Sequence, residues 1–322
     1  MTLLSWDNDK KEILDRLRSR CAVKICAKTL NEVQFTEGWI EHHLKIFGPE
    51  GVMIADNGST DEQVLKIYDR WKNDVLIFQF GGPHNQLHCH PRFKELFDAI
   101  AETSVRFAFI DIDERLVRIS SDSWSADPTV AETIAQAPAE CIVPTAWLVN
   151  KMRSMNSFYI RDQKGALGVV ENLRMGKPFF PGQLVGRHCE IHNFQYHNRL
   201  EFDASAGQDL FLLHFTQFPE RRIMTNRNKL ISRGIVSQDM SNEEILAMSL
   251  EKFSDQTFLP LIDEIRWMKA LIDDGSASVD ESDMIRLMDD GTLFFSDAKA
   301  RSVFQDRRND FPAFFQRAMT GT

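Results

Sequence analysis

The stretch Phe107-Ala108-Phe109-Ile110-Asp111-Ile112-Asp113-Glu114 decides the reading of this chain. An apolar run ends in two carboxylates one residue apart. Alternating residues of an extended chain point to the same face, so Asp111 and Asp113 leave the end of a buried strand side by side. Such a pair suits a hard divalent cation, which prefers oxygen ligands and keeps positions open for ligand phosphates. A bare D-x-D also reads as a plain acidic turn, so its weight comes from what precedes it.

Upstream, short apolar segments alternate with helical periods. Cys21–Ala27, Gly51–Ala55, Val75–Phe80 and Val105–Ile110 read as strands. Between them, Phe35, Trp39, His43, Ile46 and Phe47 share a helical face, closed by Gly48-Pro49. Leu65, Tyr68 and Trp71 mark a second helix, and Arg92–Glu102 a third. Asn31 with Gln34, and Thr60 with Gln63, have capping-box spacing. Strands alternating with helices imply a mainly parallel sheet covered on both faces. In such α/β sheets ligands bind at the carboxyl ends of the strands. Those ends carry Lys28-Thr29-Leu30-Asn31-Glu32, Asp56-Asn57-Gly58-Ser59, Gly81-Gly82-Pro83-His84 and the D-x-D.

Beyond Glu114 the rhythm breaks. Residues 141–149 and Asp209–Phe215 look like further strands, and residues 150–205 are irregular. From about Asn242 the chain reads as helical and acidic. The division expected is 1–20, an N-terminal helix; 21–116, a ligand-binding half; 117–240, a second half of the same domain; and 241–322, a helical extension.

Composition excludes several classes. With 38 basic and 47 acidic residues the net charge is −9, which argues against a nucleic-acid partner. The five cysteines are scattered with no C-x-x-C, as in a reduced, cytoplasmic protein. No apolar run approaches the ~18 residues of a membrane span, and residues 1–20 show no secretory h-region. Two nucleotide-binding motifs are missing. The first strand–helix junction has no glycine for a Rossmann fingerprint, and no G-x-x-x-x-G-K-[ST] occurs; Gly176-Lys177-Pro178 is not one.

Asn31-Glu32, Trp39-Ile40-Glu41-His42-His43, Asp56-Asn57-Gly58-Ser59-Thr60-Asp61 and Phe109-Ile110-Asp111-Ile112-Asp113-Glu114 follow one another in this order. The ordered set resembles the nucleotide-sugar half of GT-A glycosyltransferases, similar to glycosyltransferase families 2 and 92. The resemblance covers Ala22 to Leu116 well and continues weakly around Gly176-Lys177-Pro178 and Leu213-His214-Phe215.

The resemblance implies a GT-A fold and transfer of a sugar from a nucleotide-diphosphate sugar, with UDP-sugar the expected donor. The acceptor would be a glycan or glycolipid hydroxyl, as in surface polysaccharide biosynthesis, with inversion. It implies Mn²⁺ or Mg²⁺ held by Asp111, Asp113 and His214, because a metal neutralises a diphosphate leaving group and imidazole suits Mn²⁺ better. Thr29, Asn31, Glu32, Asp56, Asn57 and Asp111 would line the nucleoside pocket, with Asp56 and Asn57 reading the base. Arg92 and Lys229 are further donor-binding candidates. Where the family often has a lysine four residues after the late histidine, this chain has Phe218; Arg221, Arg222, Lys229 or Arg233 could supply the charge.

Inverting transfer needs a base for the acceptor proton, and Asp209, Glu171 and Asp203 are the candidates. The sets His84, His88, Cys89, His90 and His188, Cys189, His192, His197 lack a structural zinc spacing and read better as loop residues near the pockets, where His188 or His192 could join the site. Tail aromatics among arginines would pack on the core or a second subunit, with membrane-surface docking the weaker expectation. Two other readings start from the same residues: a haloacid-dehalogenase-type phosphatase, whose D-x-D usually follows the first strand, and a non-catalytic nucleotide-sugar-binding module.

Overall fold

The computed structural model describes residues 3–88, 91–165, 168–170, 176–182, 202–249, 258–273 and 283–320. The first strands are β1 (Leu4–Ser5), β2 (Cys21–Thr29), β3 (Val52–Asp56), β4 (Leu76–Gln79) and β5 (Ser104–Phe109). Then come β6 (Glu114–Ile119), β7 (Trp124–Ser125), β8 (Ala146–Val149), β9 (Ser157–Tyr159), β10 (Gln163–Gly165) and β11 (Gly168–Val170). The last are β12 (Phe180–Pro181), β13 (Leu210–His214), β14 (Met284–Leu287) and β15 (Leu293–Phe295). The helices that matter here are α1 (Lys10–Arg16), α2 (Val33–Phe47), α3 (Glu62–Trp71), α4 (Lys94–Thr103) and α5 (Pro128–Gln136). They continue with α6 (Ala204–Gly207), α7 (Pro219–Ser232), α8 (Asn242–Ala247), α9 (Leu259–Asp273) and α10 (Ala298–Thr320).

The fold is mixed α/β. The main sheet runs β1-β4-β3-β2-β5-β12, parallel except for β12. Its two faces bury separate apolar clusters. Trp39, Ile40 and Ile46 of α2 and Val64 and Tyr68 of α3 cover one face. Leu96, Phe97 and Ile100 of α4 with Ile13 of α1 cover the other. Chain order reverses between β2 and β5, since β3 and β4 lie on one side of β2 and β5 on the other. That reversal opens a crevice at the strands' carboxyl ends, where Glu32 and the D-x-D stand.

A second sheet, β7-β6-β13-β8, begins where the first ends. The turn Asp111–Glu114 closes with a Glu114 N–H to Asp111 carbonyl bond of 2.9 Å, and β6 starts at once. Antiparallel pairing of β6 with β13 sets His214 opposite Glu114, and the Phe215 N–H donates to the Asp113 carbonyl.

Local chemistry moved several expected boundaries. Neither expected capping box forms. Asn31 adopts φ +50°, a conformation asparagine tolerates, and Glu32 caps α2 by accepting from the Gln34 N–H. Asp61, not Thr60, caps α3. The C-terminal region is not wholly helical: β14 and β15 form a hairpin that pairs with β9. Nor is it a separate cap. α7 packs with α8 and α9 in one apolar cluster, while Phe304 and Phe311 of α10 are buried against the second sheet. Those two rings therefore serve the core and are not displayed to a membrane. Among the described residues, no helix is long and apolar enough to cross a bilayer.

Candidate functional site

The D-x-D carboxylates separate into two environments. Asp113 is nearly buried, whereas the Asp111 side chain stays 44% exposed at the mouth of the crevice. Each is matched to a buried cation from a distant segment. Lys177, fully buried, reaches Asp111 Oδ2 at 2.7 Å. It is aimed by Thr145, whose hydroxyl accepts from the Lys177 N–H and donates to its carbonyl. Arg221, in the first turn of α7, donates to Asp113 Oδ2 at 2.9 Å and to Glu32 Oε2 at 2.8 and 2.9 Å. Its guanidinium also lies 4.5 Å from the Phe35 ring centroid. One buried cation thus joins the capping residue of α2, the D-x-D and α7.

These pairs set the protonation states. Burial acts to raise Asp113, but Arg221 and His214 outweigh it and hold its carboxyl at about 2. Asp111 is likewise held below the usual range: burial opposes this, and Lys177 prevails. Burial alone would lower Lys177, but Asp111 and Glu114 keep its ammonium above the ordinary value. Glu114 has no such cation in contact. Its carboxylate accepts from the Trp147 indole at 2.7 Å and the Asp111 N–H at 2.8 Å. Burial raises its pKa to about 8. Trp147 also lies 4.7 Å from the His214 ring. His214 is lowered to about 4 by burial, with Asp113 and Asp111 pulling the other way. Among the described residues, its buried Nδ1 has no hydrogen-bond partner.

More positive charge rings the crevice. Lys28, at the end of β2, lies 3.0 Å from His88 Nδ1. His84 stands in the field of Lys28, Lys229 and Asp111. Arg222 pairs with Glu264 of α9 at 2.6 Å. Exposed Lys229, two turns further along the same face of α7, interacts with Arg222, Asp113, Glu264 and Asp111.

Several expected positions are engaged in bonds within the protein. Asp56 is fully buried and saturated. It accepts from the Gly58 and Ser59 N–H groups, the Ser59 and Tyr68 hydroxyls and the Gln79 amide. A carboxylate so engaged has no free acceptor for a base edge; it builds the turn. Asn31 is also structural, its Oδ1 accepting from the Thr60 and Asp61 N–H groups. Asn57 donates to the Phe80 and Gly82 carbonyls and bridges two strand ends. Thr29 is buried beside the Tyr68 hydroxyl. Glu32 faces the D-x-D as expected, but through Arg221. Arg92 pairs with Asp7 at 3.1 Å and stacks on Phe93.

The base candidates fare similarly. Asp209 precedes β13 at the end opposite His214, about 17 Å away at ~3.4 Å per residue. It is held there by Arg308 of α10. Asp203 caps the short helix α6, accepting from the Ala206 N–H. Glu171, Cys89, His90, His188, Cys189, His192 and His197 lie outside the described residues.

The metal expectation meets a structural objection. The register does bring Asp111, Asp113 and His214 together. Yet among the described residues no three His, Cys, Asp or Glu side chains form a group able to hold a metal ion. Both carboxylates are already compensated by buried protein cations. Among the described residues, the donor set as arranged does not fit Mn²⁺ or Mg²⁺. Sequence reading assigned no role to Trp147, and singled out the stretches holding Lys28 and Lys177 without giving either side chain a partner. Position after β2 was the available signal for Lys28, while Trp147 was hidden in an apolar run and Lys177 beside a proline.

No protein-family model and no curated protein matches the sequence. Solved structures similar in part include two of S. aureus TarS. S. aureus TarS 1–349 aligns over 79% of this chain and 73% of its own, with 12% identity and a TM-score of 0.29. S. aureus TarS aligns over 93% of this chain, with 14% identity and a TM-score of 0.30. This chain spans 55% of that longer TarS chain. Similarity at this level says nothing of chemistry, which has to come from the residues themselves.

Proposed function

We propose that the chain is a glycosyltransferase acting on a nucleotide-diphosphate sugar, with a GT-A arrangement and a hydroxyl acceptor on a glycan or glycolipid. The observation that carries this reading is the half-exposed Asp111 at the switch-point crevice, ringed by Lys28, Lys177, Arg222 and Lys229. A carboxylate at a crevice mouth can accept from sugar or ribose hydroxyls, and the surrounding cations match a diphosphate. Departure of a nucleoside diphosphate concentrates negative charge, and preorganised positive groups stabilise that charge without reorganising. Lys177 and Trp147 act as positioning residues, fixing Asp111 and, through Glu114 and His214, the D-x-D turn.

A release assay tests the proposal. Purified protein is incubated with UDP- and GDP-sugars, in Mn²⁺ and separately in EDTA, and free nucleoside diphosphate is measured. We expect turnover of one donor and a fall of about a hundredfold in Asp111→Asn, the scale of losing one electrostatic contact in an active site. Absence of both turnover and binding across the panel would refute the reading.

A further inference from the structure

The carboxylates of the D-x-D are held by protein cations in the way a metal would be. We infer that the donor's diphosphate is bound directly by the chain's own cations, Lys28, Arg222 and Lys229, and that no divalent ion is required. The inference rests on the glycosyltransferase reading and sharpens it.

Charge arithmetic at the crevice supports it. The cations are Lys28, Lys177, Arg221, Arg222 and Lys229, and the carboxylates they face are Glu32, Asp111, Asp113 and Glu264. These nine groups sum to one positive charge before any ligand arrives. A divalent ion would bring it to three, beside a buried guanidinium and a buried ammonium that cannot move into water. A nucleoside diphosphate, carrying two to three negative charges, instead neutralises the crevice.

The geometry agrees. Lys177 and Arg221 are fully committed to Asp111, Asp113 and Glu32, at 2.7 to 2.9 Å. They convert the D-x-D from an acidic repeller into a neutral floor. Lys28 rises from the end of β2 beside His88, and Arg222 and Lys229 from one face of α7. The diphosphate would lie between these two walls. Arg222 is oriented by Glu264, which also accepts from the Asn226 amide at 2.7 Å. α9 therefore holds a phosphate-facing guanidinium in place.

Calorimetry with UDP, GDP and inorganic pyrophosphate tests this, first in EDTA and then in excess MnCl₂. We expect one of the probes to bind equally in both buffers, within a factor of about two. Lys229→Gln, an exposed position that leaves folding intact, should weaken binding about tenfold, as should Lys28→Gln. Binding that appears only with MnCl₂, or tightens tenfold or more on its addition, would overturn the inference while leaving glycosyl transfer standing. So would unchanged affinity in both lysine variants. No binding in either buffer, with no donor turnover, would overturn both.

Discussion

Arg221→Met removes one guanidinium from two buried carboxylates, and its consequences can be worked out in advance. In the folded protein Glu32, Asp113 and Arg221 side chains are 6%, 9% and 5% exposed. Methionine fills similar volume but leaves both acids uncompensated. Breaking a buried ion pair by deleting one partner costs ~3–5 kcal/mol. An independent bound comes from Asp113 alone, whose carboxyl falls from 3.8 to about 2. At ~1.4 kcal/mol per pKa unit this is roughly 2 kcal/mol of stability at neutral pH. Part of that is owed to His214, so the two figures bracket the expected loss.

The pH dependence gives the sharper signature. Asp113 in the parent has a depressed folded pKa, so its contribution is complete above about pH 4 and is lost as pH falls toward 2. In Arg221→Met the largest opposition to burial is gone, leaving the weaker pull of His214 and Arg222, and the Asp113 pKa should rise. The variant's deficit should then shrink on acidification, because protonating Asp113 relieves the uncompensated charge. Urea unfolding at neutral pH and near pH 4 reads both quantities. The triple variant Glu32→Gln, Asp113→Asn, Arg221→Met should recover much of the stability, since no uncompensated charge then remains buried in the triad. A single-variant loss under about 1 kcal/mol, with a pH slope like the parent's, would show that Arg221 is not compensating buried carboxylates.

Two further predictions follow from the packing. His42 and His43 bond the β6 backbone through the Leu116 carbonyl and N–H respectively, and burial holds both neutral, with His42 lowered to about 4. Their folded pKa values lie below the ordinary 6.5, so stability is full above that pH and falls between 6.5 and about 4. The loss from His42 is on the order of 3 kcal/mol. His42→Gln should flatten this slope in thermal melts, and an unchanged slope would contradict the assignment. Gly176→Ala should cost about 1–3 kcal/mol by overpacking, because its Cβ would meet the Thr145 carbonyl oxygen at 2.3 Å. It should also weaken the binding of any donor that needs Asp111, through displaced Lys177; a variant as stable and as active as the parent would show that this contact yields.

The parallel sheet was legible because its information is local. Cys21–Ala27 and Val105–Ile110 are apolar enough to be strands in almost any context, and Gly48, at φ +67°, ends α2 where glycine was expected to. Position after the strands then located the crevice without any knowledge of partners. The β14–β15 hairpin was missed because it is short and its stability comes from pairing with β9, more than a hundred residues away. No local period announces such an element. The capping residues shifted by one because Asn31 took the left-handed turn that ties the two loops together.

The site was legible only as a location, and charge is the reason. A D-x-D shows two carboxylates; what those carboxylates can do depends on which cations face them. Lys177 is 66 residues from Asp111 and Arg221 is 108 from Asp113. The first arrives on the segment leading into β12, the second because β13 returns antiparallel to β6 and hands the chain to α7 beside the turn. Sequence thus exposes acids clustered at a strand end but not the topology that neutralises them. The same topology explains why Asp209 lies away from the crevice and Arg222 beside it. Both belong to the β13–α7 unit, but one precedes the strand and the other follows it, and a five-residue strand separates them by the length of the sheet. Which end of β13 a charge occupies therefore decides whether it faces the crevice.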